Sequence, residues 1–177
     1  MRNIISFILV GLLLSVLFFP GEISAQSKDI KGWHKVQWGM TEDVIEEIYG
    51  EKIRRLAKTK HFDYQYRNLE IDNFTILGYQ FNVLFFMDNN THRLNRVSLT
   101  HSGTDSGVIF LKLEDALKSK YDLPSEKSVE NLYGITNTER VWLFPSTKIT
   151  LTHHKLNIIA KYCVSVRYEE RIFSDKL

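Results

Sequence analysis

The sequence has 177 residues, of which 44% are hydrophobic and 25% are charged, so the chain can bury a sizeable core. Its formal net charge of +2 gives no indication of nucleic acid or of a strongly acidic surface as a partner. The single cysteine, Cys163, excludes an internal disulfide, so packing must supply the stability. Because Cys163 lies in an alternating strand pattern, we expect a small buried side chain rather than a reactive thiol.

Residues 1–25 have the pattern of a cleaved signal peptide. Arg2 supplies a short positive segment, residues 4–19 form a nearly unbroken apolar run, and Ser24-Ala25 offers a small-residue cleavage site. The apolar run is shorter than the roughly 20 residues that usually span a bilayer, which favours cleavage over an uncleaved membrane anchor. We therefore expect a periplasmic or secreted protein with no membrane span after cleavage.

Residues 32–50 predict a short strand, a turn and an amphipathic helix. Thr41 has the position of a capping residue, whose hydroxyl would accept a backbone N–H of the first helical turn. Met40 and Ile45 have the spacing of a hydrophobic staple, so we expect Met40 to be largely buried. Gly50 is placed to end the helix in a left-handed conformation.

The same stretch contains a Trp-Gly-Met-Thr run at residues 38–41, followed by Val44, and resembles the start of small exported bacterial domains. These domains are similar to the outer-membrane assembly lipoprotein BamE (the SmpA/OmlA family) and to the β-lactamase-inhibitor-protein-like fold. The resemblance implies a helix-plus-antiparallel-sheet fold and a non-enzymatic binding role. The BamE family is lipidated at a cysteine after its signal peptide; this chain has no cysteine there, so we expect no lipid anchor. The matching residues are Trp33, Trp38, Gly39, Met40, Thr41, Val44, Tyr49 and Gly50.

Alternating apolar residues after the first helix predict antiparallel strands. Residues 62–67 and 79–87 alternate in this way, and residues 93–101 return as the second arm of a hairpin. The basic segment 51–60 is expected to extend the first helix or to form a second short helix, and residues 68–73 to form a polar connection. The apolar sheet face in this half is predicted to consist of Tyr79, Phe81, Val83 and Phe85.

The SGTDSG segment at residues 102–107 predicts a linker, and a second amphipathic helix follows it. Its apolar stripe is predicted to consist of Ile109, Phe110, Leu113, Ala116 and Leu117. The elements expected in this half are a helix over 108–121, a polar loop to about residue 137, a hairpin of 140–144 with 148–153, and a long strand over 157–169. The apolar sheet face here is predicted to consist of Ile149, Leu151, Val164 and Val166.

The two predicted helices resemble each other, and each precedes about three predicted strands. We therefore predict an α+β fold, an antiparallel sheet with short helices packed on it, formed by a tandem helix-plus-three-strand duplication. Its halves would be residues 26–104 and 105–177. The alternative is that two unrelated amphipathic helices look alike. The aligned residues are Glu42, Asp43, Val44, Ile45 and Tyr49 with Glu114, Asp115, Ala116, Leu117 and Tyr121.

The search for chemical motifs gives no catalytic, cofactor-binding or metal-binding residue. The sequence contains no HExxH run, no Cys/His cluster, no G-x-S-x-G elbow and no phosphate-binding or dinucleotide-binding loop. His153 and His154 are adjacent in a predicted strand, so their side chains should point to opposite faces. The six histidines are His34, His61, His92, His101, His153 and His154.

These observations favour an exported, non-catalytic binding or scaffold module of the bacterial envelope. Its partner would be another envelope protein, contacted through a sheet face or the loops. The tryptophans Trp33, Trp38 and Trp142 could form a recognition patch, although packing within the core is the favoured interpretation. The alternative function is an envelope enzyme or small-ligand carrier whose site is assembled only in three dimensions.

Overall fold

The computed structural model describes residues 29–156 and 161–171, so the predicted signal peptide lies outside the described residues. This part of the chain contains two helices and ten strands, and a single 3₁₀ turn, Gly50–Lys52, follows the first helix. The elements are β1 (Gly32–Trp33), β2 (Val36–Gln37), α1 (Glu42–Tyr49), β3 (Arg54–His61), β4 (Gln65–Ile76), β5 (Tyr79–Asp88), β6 (Leu94–Ser102), α2 (Ser106–Tyr121), β7 (Glu126–Leu132), β8 (Ile135–Leu143), β9 (Thr147–Leu156) and β10 (Lys161–Glu170).

Eight strands form one antiparallel sheet in the order β3-β4-β5-β6-β10-β9-β8-β7, and β1 pairs with β2 in a separate small hairpin. Strands β6 and β10 pair at the centre of the sheet, with Leu99 opposite Val166. The predicted α+β class with an antiparallel sheet is confirmed. In the described residues, four strands rather than three follow each helix.

Both helices pack on the same face of this sheet. The Tyr49 ring of α1 lies 5.7 Å from the ring of Phe85 in β5, and the Phe110 ring of α2 lies 5.7 Å from that of His153 in β9. The predicted apolar sheet face is confirmed, with only Tyr79 partly exposed, but Ala116 of the predicted helix stripe is exposed. The sheet residues that are buried on this face include Phe81, Val83, Phe85, Leu99, Ile149, Leu151, Val164 and Val166.

Three segments differ from the predicted secondary structure because strand pairing outweighs local composition. The basic segment predicted as helix is the edge strand β3, in which Arg54 and Arg55 point to opposite faces and bind Asp72 and Glu46 respectively. Residues 68–73, predicted as a connection, lie within the 12-residue strand β4. The loop predicted up to residue 137 instead contains β7 and the start of β8, and every residue of β7 is exposed.

The start of α1 also differs from the prediction. Thr41 occupies the capping position, but its hydroxyl makes no capping hydrogen bond; its carbonyl accepts the Ile45 N–H at 3.2 Å instead. Met40 is only partly buried, because its backbone pairs with Leu94 in β6 while its side chain remains beside the turn. Gly50 ends the helix at a positive φ of 54°, as predicted, although its ψ of −133° is not left-handed helical.

Cys163, predicted to be buried, is partly exposed in β10.

Within the described ranges, none of the helices combines the length and apolar character that crossing a bilayer requires.

Candidate functional site

The sheet face opposite the two helices has no helix over it in the part of the chain that the structure describes, and we call it the helix-free face. Side chains alternate along strands, so the neighbours of core residues such as Val97, Leu99 and Val166 point to this side. Its central side chains are Arg67, Glu70, Leu84, Phe86, Arg96, Ser98, Thr100, Thr150, Thr152, Cys163, Ser165, Arg167 and Glu169.

A row of charged and aromatic side chains crosses the centre of the helix-free face. Arg67, Phe86, Arg96 and Glu169 lie opposite one another in β4, β5, β6 and β10. The Arg96 guanidinium lies 5.3 Å from the centroid of the Phe86 ring, within the range of a cation–π contact. The row therefore forms only through the register of four neighbouring strands, and no local sequence motif predicts it.

Counted together with Arg167 of the neighbouring row, the arginines here outnumber the carboxylates that pair with them. Arg96 Nε lies 2.7 Å from Glu169 Oε1, and Arg167 Nε lies 3.2 Å from Glu169 Oε2, so two guanidinium groups share one carboxylate. Arg67 lies 3.8 Å from Glu70, which also pairs with Arg54. We call Arg67, Arg96 and Arg167 the central arginine cluster.

Buried polar atoms without hydrogen-bond partners concentrate on the helix-free face. Among the described residues six such side-chain atoms occur, and five belong to this face. The Nε atoms of Arg96 and Arg167 lie close to Glu169, so the charges are paired, but neither Nε–H makes a hydrogen bond of acceptable geometry with its oxygens. Buried polar groups are normally satisfied, so five exceptions on one face need an explanation. The five atoms are Arg67 Nε, Arg96 Nε, Arg167 Nε, Thr150 Oγ1 and Asn137 Oδ1.

One serine–histidine pair has the spacing of a nucleophile and its base. Ser106 Oγ lies 3.1 Å from His153 Nε2, a pair that sequence reasoning missed because 47 residues separate the two. Burial, followed by the charges of His154 and Lys155, lowers the pKa of His153. Ser106, however, has no exposed surface, so its hydroxyl cannot reach a substrate in this conformation.

The other residues singled out from the sequence are distributed over the fold. In residues 29–156 and 161–171, no three His, Cys, Asp or Glu side chains are grouped so that they could hold a metal ion. The favoured packing role of the tryptophans is confirmed for Trp33 and Trp142, which are 9% and 1% exposed. Trp38 donates its indole N–H to Thr147 Oγ1 at 2.8 Å.

Among the described residues, the cavities on the helix-bearing side of the sheet include two of about 500 to 600 Å³. The first, about 560 Å³, lies between the β1–β2 hairpin and the end of α2, and we call it the hairpin cavity. Burial, followed by the charges of Lys35, Lys120 and Lys52, lowers the pKa of His34 at its rim. The aromatic residues that line this cavity are Trp33, Tyr121, Phe144 and Tyr168.

The second cavity, about 510 Å³, lies at the start of α1, and we call it the helix-start cavity. Its walls are polar, and they include Glu42, Tyr66 and His92.

Comparisons with protein-family models, with curated proteins and with solved structures found no match to this chain.

Proposed function

We propose that this protein is a non-catalytic binding module of the bacterial envelope that contacts another envelope protein through its helix-free face. The observation that carries the proposal is the shortage of acidic partners for the arginines of that face, where Arg96 and Arg167 share the single carboxylate of Glu169. The side chains of Arg96 and Arg167 are 29% and 38% exposed, so a partner that supplies acceptors could pair with their accessible parts.

The charge distribution indicates what the partner presents. The three arginines of the central cluster face only Glu70 and Glu169 among their ion-pair partners, so the cluster carries excess positive charge. Phe86 and Leu84 provide an apolar patch between these charges. A partner surface with carboxylates around an apolar contact matches this pattern, and such complementarity favours both recognition and rapid association.

A tandem duplication would account for this binding surface, and we propose it for residues 26–104 and 105–177. Glu42 of α1 accepts a hydrogen bond from Asn68 of β4 at 3.1 Å, and Glu114 of α2 accepts one from Arg140 of β8 at 3.0 Å. Glu114 follows Glu42 by as many residues as Arg140 follows Asn68. Two units joined through β6 and β10 would make one continuous sheet with one uncovered face.

The export signal at residues 1–25 and the resemblance to BamE-like and β-lactamase-inhibitor-protein-like domains support the proposed location and binding role. Together they favour a periplasmic or secreted protein without a lipid anchor, because no cysteine lies at the predicted cleavage site. A small-ligand carrier is the second candidate function, and the aromatic hairpin cavity is the observation in its favour.

Site-specific photo-crosslinking in the native envelope tests the proposed binding face. A photoreactive amino acid in place of Ser98 or Thr100 lies on the helix-free face, whereas the same amino acid in place of Leu111 lies on the exposed side of α2, where that residue is 60% exposed. We expect one common adduct from Ser98 and Thr100, its loss after Arg96→Ala with Arg167→Ala, and no such adduct from Leu111. Equal adducts from all three positions, or adducts that the arginine substitutions leave unchanged, would contradict the proposal.

A further inference from the structure

The wall of the hairpin cavity that precedes β1 is tied to the sheet. Ser146 donates its backbone N–H and its hydroxyl to the two carboxylate oxygens of Asp29, at 2.8 and 2.6 Å. The Thr147 hydroxyl donates to the carbonyl oxygen of Ile30. The chain that leads into β1 is therefore held where β9 begins. The cavity volume of about 560 Å³ lies within the roughly 300–1,000 Å³ that is typical of preformed small-molecule sites.

Aromatic rings form the part of the cavity beside the end of α2. The Tyr121 ring packs edge-on against that of Phe144, with the two centroids 5.3 Å apart. Tyr168 is only 8% exposed, and burial, followed by the neighbouring Tyr121 hydroxyl, raises the pKa of Tyr168. This phenol therefore stays neutral near pH 7 and adds no negative charge. With Trp33 on the hairpin side, these side chains offer ring faces and edges to a flat aromatic ligand.

Lysine side chains lie beside these rings. The Lys120 ammonium is 5.0 Å from the centroid of the Tyr121 ring, and Lys31 lines the cavity next to β1. Neither lysine makes an ion pair with a carboxylate of the described residues. Burial, followed by the charges of three lysines, lowers the pKa of His34 at the rim. The positive charge around the cavity is thus not used in holding the fold together.

Two aspartates also line the cavity, and neither has the same role as the lysines. Both oxygens of Asp29 already accept hydrogen bonds from Ser146. Asp122 follows the last residue of α2 with a positive φ of 65°, a conformation that Asn also adopts readily. Its carboxylate opposes an anionic occupant, so removing this charge without changing the shape of the side chain gives a test with a defined sign.

We propose that the hairpin cavity binds a small aromatic carboxylate, whose ring contacts Tyr121 and whose carboxylate lies beside Lys120, with Lys31 adding to the positive charge. A flat ring with an attached anion complements an aromatic side chain that has an ammonium group next to it. An organic cation is a poorer fit, because it would meet the two lysines. The inference rests on the second candidate function, a small-ligand carrier, and does not depend on the helix-free face.

Titration with indole-3-acetate tests the site, and indole-3-acetamide is a neutral control of nearly the same shape. Binding is followed by calorimetry and by NMR of the isotopically labelled protein, in which Trp33 and Tyr121 report on the cavity. The Tyr64 ring, which is 83% exposed, reports on non-specific stacking. We expect saturable binding of the acid with a Kd below about 1 mM, and binding of the amide at least about threefold weaker. The acid should shift the signals of Trp33 and Tyr121 but not those of Tyr64.

The two ways in which this titration can fail have different meanings. Equal binding of acid and amide would overturn the inference and leave the carrier function standing. No saturable binding of either compound up to about 10 mM would overturn both. Neither result bears on the helix-free face, which the crosslinking experiment tests separately.

Charge variants show whether the lysines of the cavity, rather than the net charge of the protein, hold the ligand. Lys31→Gln with Lys120→Gln should weaken binding of the acid about tenfold and leave binding of the amide within about twofold. Lys112→Gln with Lys127→Gln removes the same charge from exposed lysines that do not line the cavity, and should leave binding of the acid within about twofold. Asp122→Asn should strengthen binding of the acid about twofold to threefold. Equal losses for the two lysine pairs, or weaker binding after Asp122→Asn in a protein with an unchanged melting temperature, would overturn the proposal.

Discussion

The His101 Nε2 atom lies 3.0 Å from Asp105 Oδ1, and this pair spans the connection between β6 and α2. The other ring nitrogen of His101, Nδ1, lies 2.8 Å from the carbonyl oxygen of Gln80 in β5. Because both contacts are to acceptors, the arrangement satisfies an imidazolium, which donates from both nitrogens, better than a neutral ring. The start of α2 is thus tied to the sheet by a group that titrates near neutral pH.

The first prediction is a pH-dependent contribution of His101 to stability. Burial lowers the pKa of His101, but the hydrogen bonds with Gln80 and Asp105 outweigh it and raise the pKa above its ordinary value of 6.5. When the pKa of a group is higher in the folded than in the unfolded protein, its protonation stabilises the fold. This stabilisation is complete below the unfolded-state pKa and is lost as the pH rises through the folded-state pKa. Thermal unfolding should therefore show a larger deficit for His101→Gln at about pH 5.5 than at about pH 8.5. An equal deficit at both pH values would contradict the ion pair.

The second prediction concerns Gly103, which lies between the two partners of this pair. A Cβ at this position would lie 2.6 Å from Asp105 Oδ1 and 3.2 Å from His101 Nε2. Gly103→Ala should therefore displace the Asp105 carboxylate and remove most of the pH-dependent difference between wild type and His101→Gln. Ser102→Ala, at an exposed neighbouring position, provides the control and should retain that difference. The measurement is the pH dependence of the melting temperature for each variant.

The third prediction concerns Gly32 in the β1–β2 hairpin. An added Cβ would lie 2.0 Å from the carbonyl oxygen of Val36, which is backbone that cannot move without breaking the hairpin. Gly32→Ala should destabilise the protein by more than about 1 kcal/mol in urea unfolding. Gly78→Ala is the matched control, because Gly78 has a positive φ of 82° but nothing within 4 Å of the added Cβ. A cost for Gly32→Ala no greater than that for Gly78→Ala would show that the hairpin adapts.

The fourth prediction concerns Glu114, which is only 6% exposed in α2. Its Oε1 atom lies 3.0 Å from Arg140 Nε and 2.9 Å from Lys118 Nζ. Burial raises the pKa of Glu114, but these two hydrogen bonds outweigh it and lower the pKa below 4.5, so the stabilisation is lost as the pH falls through the folded pKa. Arg140→Met should cost about 2 kcal/mol at neutral pH, because it leaves a buried carboxylate with one donor.

The control for that substitution is Asp72→Asn, which removes the ion pair between Asp72 and Arg54, whose side chains are 46% and 55% exposed. An exposed ion pair contributes about 1 kcal/mol or less, so Asp72→Asn should lower the free energy of unfolding by no more than that. Urea unfolding of both variants at neutral pH makes the comparison. Similar costs for Asp72→Asn and Arg140→Met would show that burial of Glu114 does not strengthen its pair.

The strands that could be predicted from the sequence are those that bury one face and expose the other. Strand β5 follows from the alternation of Phe81, Val83 and Phe85, which are all buried as expected. Strand β7 was missed because none of its residues is buried, so its sequence has no apolar alternation to detect. Strand β3 was missed because its many basic side chains hide the strand pattern in the sequence. It is a strand because it pairs with β4.

The candidate binding face could not be identified from the sequence for a related reason. Arg67, Arg96 and Arg167 lie in β4, β6 and β10, and only the register of these strands brings them onto one surface. The only trace of the binding face in the sequence was the set of polar residues on one side of each alternating strand. Such residues normally indicate no more than solvent exposure. Excess charge and unsatisfied donors become visible only after the strand order is known.

The last prediction concerns Arg167, because a residue kept for binding need not stabilise the isolated fold. Arg96 and Arg167 share the carboxylate of Glu169, and Arg96 makes the closer approach at 2.7 Å. Arg167→Met should leave the unfolding free energy unchanged or raise it by up to about 1 kcal/mol, since Glu169 keeps Arg96 and a buried unsatisfied N–H is removed. Arg96→Met should instead cost about 1 kcal/mol, because it also removes the cation–π contact with Phe86. Urea unfolding of the two variants separates these outcomes, and a cost above about 1 kcal/mol for Arg167→Met would assign Arg167 to the fold rather than to a partner.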